Sequence, residues 1–311
     1  MAYQTIDRTQ FLDDMYTKLQ RPTTTEAIDE LFTGLTDIRR SSAPADWIQF
    51  AQSDCRRHPV RHLIHEDPIS RRSFQKPRGY AGDAVILDFL YDDLSVREEL
   101  HTVSPLGQYL AQYQMAASTA RAVRLRRDLL ARIIDDVATT QASPDILSIA
   151  CGHLREAKLT EAVQARRIGR FVALDHDPAS LNVVATDLAP FGVEPVVGSV
   201  RTLLRGKPAL GTFDLVYAAG LFDYLPLKVA QRLLGAMFCL LKPEGRLVVT
   251  NAVPDLPEIG FMESFMDWEL IYRTVPELAA MAAALPISEL ADLRIYAEDQ
   301  HAFLFLDIRR R

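Results

Sequence analysis

Gly152 and Asp175 stand 23 residues apart, each at the end of a short apolar run. A glycine in such a turn lets a ligand approach the backbone, and a carboxylate at that distance can accept both hydroxyls of a ribose. The turn, residues 146–157, reads ILSIACGHLREA, with the small residues Ala150 and Cys151 beside the glycine. It lacks the G-x-G-x-x-G that cradles a pyrophosphate, so a nicotinamide or flavin cofactor is disfavoured.

Other residues could act on an acceptor. In RGYAGD, residues 78–83, two glycines could hinge a lid that carries Arg78 and turns Tyr80 toward a reacting centre, with Asp83 capping the next helix. Glu263, Asp267 and Trp268 fall at i, i+4 and i+5 on an expected helix after the fifth strand, with Tyr272 two turns beyond Glu263. Their plain reading is a solvated acidic face; their functional one is a substrate-binding surface. His301, beside Gln300 in a hairpin turn, is a candidate general base. Arg121 could face an anionic ligand, whereas Arg124, Arg126 and Arg127 read as helix-surface charges. His58, His62 and His65 are bounded by Pro59 and Pro68, and their spacing is not HExxH, so no metal is expected. Asp177, before Pro178, reads as a helix cap.

The elements that must position these groups change character along the chain. Residues 1–140 show helical spacing, clearest where Ile28, Leu31, Phe32, Leu35 and Ile38 share a face, and again at Leu125, Leu129, Ile133 and Val137. A small polar stretch at 139–144 marks the boundary, giving a helical module at 1–140 and a second domain at 141–311. There, apolar runs at 145–150, 170–175, 194–198, 213–219 and 245–251 alternate with helical segments, the pattern of a doubly wound parallel α/β sheet. Runs at 293–298 and 302–308 are too close for a crossover helix and pair as a hairpin.

Composition narrows the classes. With 35 basic and 41 acidic residues the net charge is −6, and neither half of the chain conceals a basic module, so nucleic acid is not an expected partner. The longest apolar run, 278–285, is far too short to span a bilayer, and the opening MAYQTIDRTQFLDDMY resembles no export signal, so a cytoplasmic protein is expected. Three scattered cysteines, Cys55, Cys151 and Cys239, give neither a disulfide framework nor a thiolate zinc site.

A ribose carboxylate without a phosphate loop suggests S-adenosylmethionine. LSIACGHLRE, FVALDHDPASL, GSVRTLL, FDLVYAAGLFDYLP and LLKPEGRLVVTN resemble the successive motifs of class I S-adenosylmethionine-dependent methyltransferases. The resemblance implies a seven-stranded sheet of order 3-2-1-4-5-7-6 with strand 7 antiparallel. It also implies a cofactor set of Ala150, Gly152, Glu156, Asp175, His176, Ser199, Val200, Ala219 and Gly220. In it Gly152 lies under the methionine part, Asp175 on the ribose, Ser199 and Val200 near the adenine, and Ala219 and Gly220 under the sulfonium. Two departures stand out. Ser148 replaces the usual acid while Ala150 and Leu154 replace the outer glycines of the first motif, so the methionine end must be held differently, by Arg155 or Glu156. Ser199 replaces the acid near the adenine, which leaves that contact to backbone and packing.

HLIHEDPISRRSFQKPRGYAGDAVILDFLY, STARAVRLRR and FMESFMDWELIYRT, with ACGHLRE, are similar to a bacterial group described as 3-hydroxy fatty acid methyl ester synthase-like methyltransferases. What this implies is methylation of a small molecule in secondary metabolism, with the helical module as lid and substrate selector. A carboxylate acceptor is ionised at neutral pH and needs no base, only cations or donors such as Arg78, Tyr80 or Arg121. An amine or guanidine acceptor must lose a proton, to Glu263, Asp267 or His301. Tyr224, Trp268 and Tyr272 complete the expected substrate set. A third reading is an inactive methyltransferase-like binding module. The expected partner is a small molecule; the oligomeric state is left open, with a homodimer as the form considered.

Overall fold

The computed structural model describes residues 7–21 and 25–311. Residues 1–6, which open the stretch read above for an export signal, lie outside those described. The chain forms two compact units that divide inside the long helix Ser118–Thr140, between Val123 and Arg124. The polar stretch at 139–144 instead marks where that helix gives way to the first strand. Among the described residues no helix is long and apolar enough to cross a membrane.

The helical unit comprises the described residues up to Val123 together with Asp255–Glu269. Its helix Thr25–Ser41 buries Ile28, Leu31, Phe32, Leu35 and Ile38, the face its spacing predicts. The returning segment contributes the helix Ile259–Phe265, whose residues are all buried. Phe261 stacks on Phe32 with ring centroids 4.0 Å apart. At Gly260 a β-carbon would stand 2.5 Å from the Leu35 carbonyl carbon, so only glycine permits this approach. Asp83 caps its helix as expected, accepting from the amides of Val85 and Ile86, and is also gripped by Arg72.

The sheet unit comprises Arg124–Pro254 and Leu270–Arg311. Its strands are β1 (Asp145–Ile149), β2 (Arg170–Asp175), β3 (Val193–Val197), β4 (Phe213–Ala218), β5 (Leu241–Ala252), β6 (Leu290–Ala297) and β7 (Phe303–Arg310). They run in the order β3-β2-β1-β4-β5-β7-β6, parallel except that β7 is antiparallel to both its neighbours. This is the expected order. Alternate residues supply two cores: Ile146, Leu215, Tyr217, Val248 and Phe305 face one layer, Leu147, Val216, Val249 and Leu306 the other. The first layer is covered by Leu130, Ile133, Ile134 and Val137 of the long helix and by Val184 and Leu188. β5 begins earlier than the sequence suggests. Leu241 pairs with Phe213, and a bulge carries the ladder past Glu244, whose φ is 64°, so Lys-Pro-Glu-Gly reads as a turn yet stays in the sheet.

Candidate active site

The carboxyl ends of β1, β2, β3, β4 and β5 share one edge of the sheet, where ligands of such folds bind. Because Ala252 pairs with Phe303, the β6–β7 turn carrying His301 lies at this edge too.

The loop after β1 holds three left-handed residues, Ala150 (φ 53°), Gly152 (φ 54°) and Leu154 (φ 50°). The two positions that lost glycine thus keep a conformation that favours glycine, at about 1 kcal/mol each. Leu154 offsets this by burying its side chain, 1% exposed. Asp175 ties the edge together. Its Oδ2 accepts the Gly152 amide at 2.8 Å and its Oδ1 the Asp177 amide at 2.9 Å, while its carbonyl accepts the Gly198 amide at 2.8 Å. His176, half in solvent, places Nδ1 3.2 Å from Oδ1. A carboxylate oriented by backbone amides keeps a lone pair on each oxygen, which suits the two hydroxyls of a ribose. Asp177 is the cap of the helix Pro178–Leu188, as expected.

Glu156 is buried and accepts the Tyr217 hydroxyl at 2.8 Å. Burial raises its pKa, against the pull of backbone and Tyr217 hydrogen bonds and of the Arg126 and Arg127 charges. Arg155, the other residue considered for the methionine end, is engaged with Asp187 at 2.9 Å. Ser199 is committed to a capping box with Thr202 over a short helix, and Val200 opens that helix. Gly220 (φ 76°) follows Ala219 at the end of β4 and donates to Thr250 Oγ1 at 3.3 Å.

Sequence reasoning missed three groups here. Asp223 is buried, accepts the Ala252 amide at 2.6 Å, and is raised in pKa by that burial. Arg273 donates to the carbonyls of Phe222 and Leu225 and to Asn251 Oδ1, fixing the segment that carries Tyr224. Arg126, read as a surface charge, is buried at 4% exposure. A signal existed: it lies on the same helical stripe as Leu130, Ile133 and Val137.

The structure brings the expected cofactor residues, with Tyr224, Tyr272 and the exposed His301, into the sheet unit. Arg78, Tyr80, Arg121, Glu263, Asp267 and Trp268 belong to the helical unit. There the expected acidic helix is corrected. The helix ends at Phe265, so Asp267, left-handed at φ 49°, Trp268 and Tyr272 lie beyond it. Nor is the face solvated. Glu263 is 7% exposed and accepts from Arg39 Nε at 2.7 Å, Arg39 Nη2 at 3.1 Å and Trp47 Nε1 at 2.6 Å. Asp267 is paired with both Arg56 and Lys76. Arg121 is exposed and donates to the Ala116 carbonyl at 2.7 Å.

Residues 146–245 match a family model described as a methyltransferase domain. No curated protein matches the chain. A possible exported protein from Bordetella parapertussis is 17% identical with a TM-score of 0.54, over 86% of this chain and 99% of its own. Its likeness extends to the fold. The magnesium protoporphyrin IX methyltransferase of Synechocystis, solved with S-adenosylhomocysteine, is 11% identical with a TM-score of 0.48, over 72% of this chain and 97% of its own. Sheet order, edge and domain match define a class I methyltransferase fold. The chain thus carries a methyltransferase domain, with S-adenosylmethionine as its cofactor.

Proposed function

We propose that this enzyme methylates the carboxylate of a small molecule, giving a methyl ester, in line with its resemblance to the 3-hydroxy fatty acid methyl ester synthase-like group. The observation that carries this reading is the state of Glu263 and Asp267. Both are saturated by cations of their own unit and are thereby ill suited to hold a cationic amine and take its proton. A carboxylate asks for neither. The bound cofactor supplies a methyl group on a sulfonium, already activated for in-line displacement, so the chain contributes orientation and exclusion of water. Asp175 and Gly152 fix the nucleoside, and acceptor selection falls to the helical unit.

The test is a methyl-transfer screen with purified protein, setting medium-chain 3-hydroxy acids and simple carboxylates against cationic amino acids. Base-labile methyl incorporation from the acids, with a rate flat above about pH 6 because the acceptor is already ionised, is the expected result. Base-stable incorporation into an amine, with a rate rising toward alkaline pH, would replace this reading with N-methylation. Cofactor binding with no transfer to either class would favour a binding module.

A further inference from the structure

Most buried arginines of the sheet unit have an evident partner within the chain. Arg155 pairs with Asp187, and Arg273 donates to three oxygens. The partly buried Arg246 forks onto Asp307 at 2.9 and 2.6 Å. Arg126 differs. At 4% exposure it makes no hydrogen bond or ion pair to any described residue, and its Nε is fully enclosed. Its guanidinium sits 4.4 Å from the centre of the Phe303 ring, which positions it without satisfying its donors. Its terminal nitrogens lie 3.6 and 3.8 Å from where a β-carbon on Gly220 would stand, so the missing side chain leaves space beside them. Two buried carboxylates, Glu156 and Asp223, lie within reach of its charge, yet neither accepts a hydrogen bond from it. A buried guanidinium with idle donors is costly and calls for a partner from outside the chain.

We propose that Arg126 binds the carboxylate of the cofactor's amino-acid tail, and makes the site selective for a cofactor that carries the whole zwitterion. This rests on the cofactor site described above. Asp175 marks the ribose at the end of β2, and β2, β1 and β4 are successive neighbours. Gly220, at the end of β4, is therefore about 10 Å away at ordinary strand spacing, within reach of a tail extending from the ribose. One cation flanked by two carboxylates complements an α-amino acid, whose carboxylate and ammonium sit on the same carbon. It also supplies what Arg155, engaged with Asp187, does not.

The experiment is calorimetric titration of wild type, Arg126→Met and Arg126→Lys with S-adenosylhomocysteine and with 5′-methylthioadenosine, which shares the nucleoside and thioether but lacks the tail. Arg126→Met is expected to weaken S-adenosylhomocysteine about 10- to 100-fold while leaving methylthioadenosine unchanged, with Arg126→Lys recovering part of the loss. The ligand-free Arg126→Met protein loses the Phe303 contact and the attraction of Glu156 and Asp223, so its melting temperature is read alongside, and the loss confined to the ligand that carries the tail is what decides. An unchanged affinity for S-adenosylhomocysteine, or equal losses for both ligands with a lowered melting temperature, overturns the proposal. Wild type that binds neither ligand would instead remove the cofactor site itself.

Discussion

Asp175 and Glu263 are both buried carboxylates, held in opposite ways. Backbone amides of two loops orient Asp175 and leave its oxygens able to accept more. Glu263 is closed off by a guanidinium fork and an indole N–H, all from side chains of its own unit. The first arrangement presents a charge; the second spends it on joining the returning segment to the helix Thr25–Ser41 and to Trp47. The contrast teaches that an acidic residue near a strand end is a site candidate only when its partners leave capacity for a ligand.

The sharpest way to break this comparison is Glu263→Ala, which strands Arg39 and the Trp47 N–H. A loss of about 3 to 4 kcal/mol in denaturant stability is expected, with S-adenosylhomocysteine affinity unchanged in the folded protein. A large loss of affinity at full stability would move Glu263 to the ligand side.

Asp67 tests the same idea with pH. Fully buried, it accepts the amides of Ile69 and Ser70 and a hydrogen bond from Gln114, and burial raises its pKa from 3.8 to about 6. Between those values the folded state holds more protons than the unfolded one, so this group's contribution falls as pH rises, by on the order of 3 kcal/mol in all. It is fully present below about pH 4 and gone above about pH 6. Denaturation midpoints of wild type and Asp67→Asn from pH 4 to 7.5 should diverge in slope across that window; parallel curves would contradict the assignment.

The smallest effect sharpens the view of the cofactor loop. Ala150→Gly should raise stability by about 0.5 to 1 kcal/mol at unchanged affinity, because the left-handed conformation is already imposed. A destabilisation in the thermal melt would mean that the loop draws on the alanine side chain for packing.

The sheet was legible because alternation and βα spacing are local signals, as were the caps at Asp83 and Asp177. The placement of Gly152 just after β1 and of Asp175 at the end of β2 follows from the same spacing. From sequence Glu263 and Asp267 look like a solvated acidic face or a substrate-binding surface, because Arg39, Arg56 and Lys76 stand some 190 to 220 positions earlier, and spacing within one segment cannot report such partners. Arg126 was overlooked among neighbouring arginines, although its register with Leu130 and Ile133 pointed inward.

The central claim is that the backbone-held carboxylate at the end of β2 anchors the cofactor. Its most direct test is calorimetric titration of wild type and Asp175→Ala with S-adenosylhomocysteine. Wild-type binding that weakens by about 1.5 to 3 kcal/mol in the variant is the predicted result. Equal affinity in the two proteins, or none in the wild type, would contradict it.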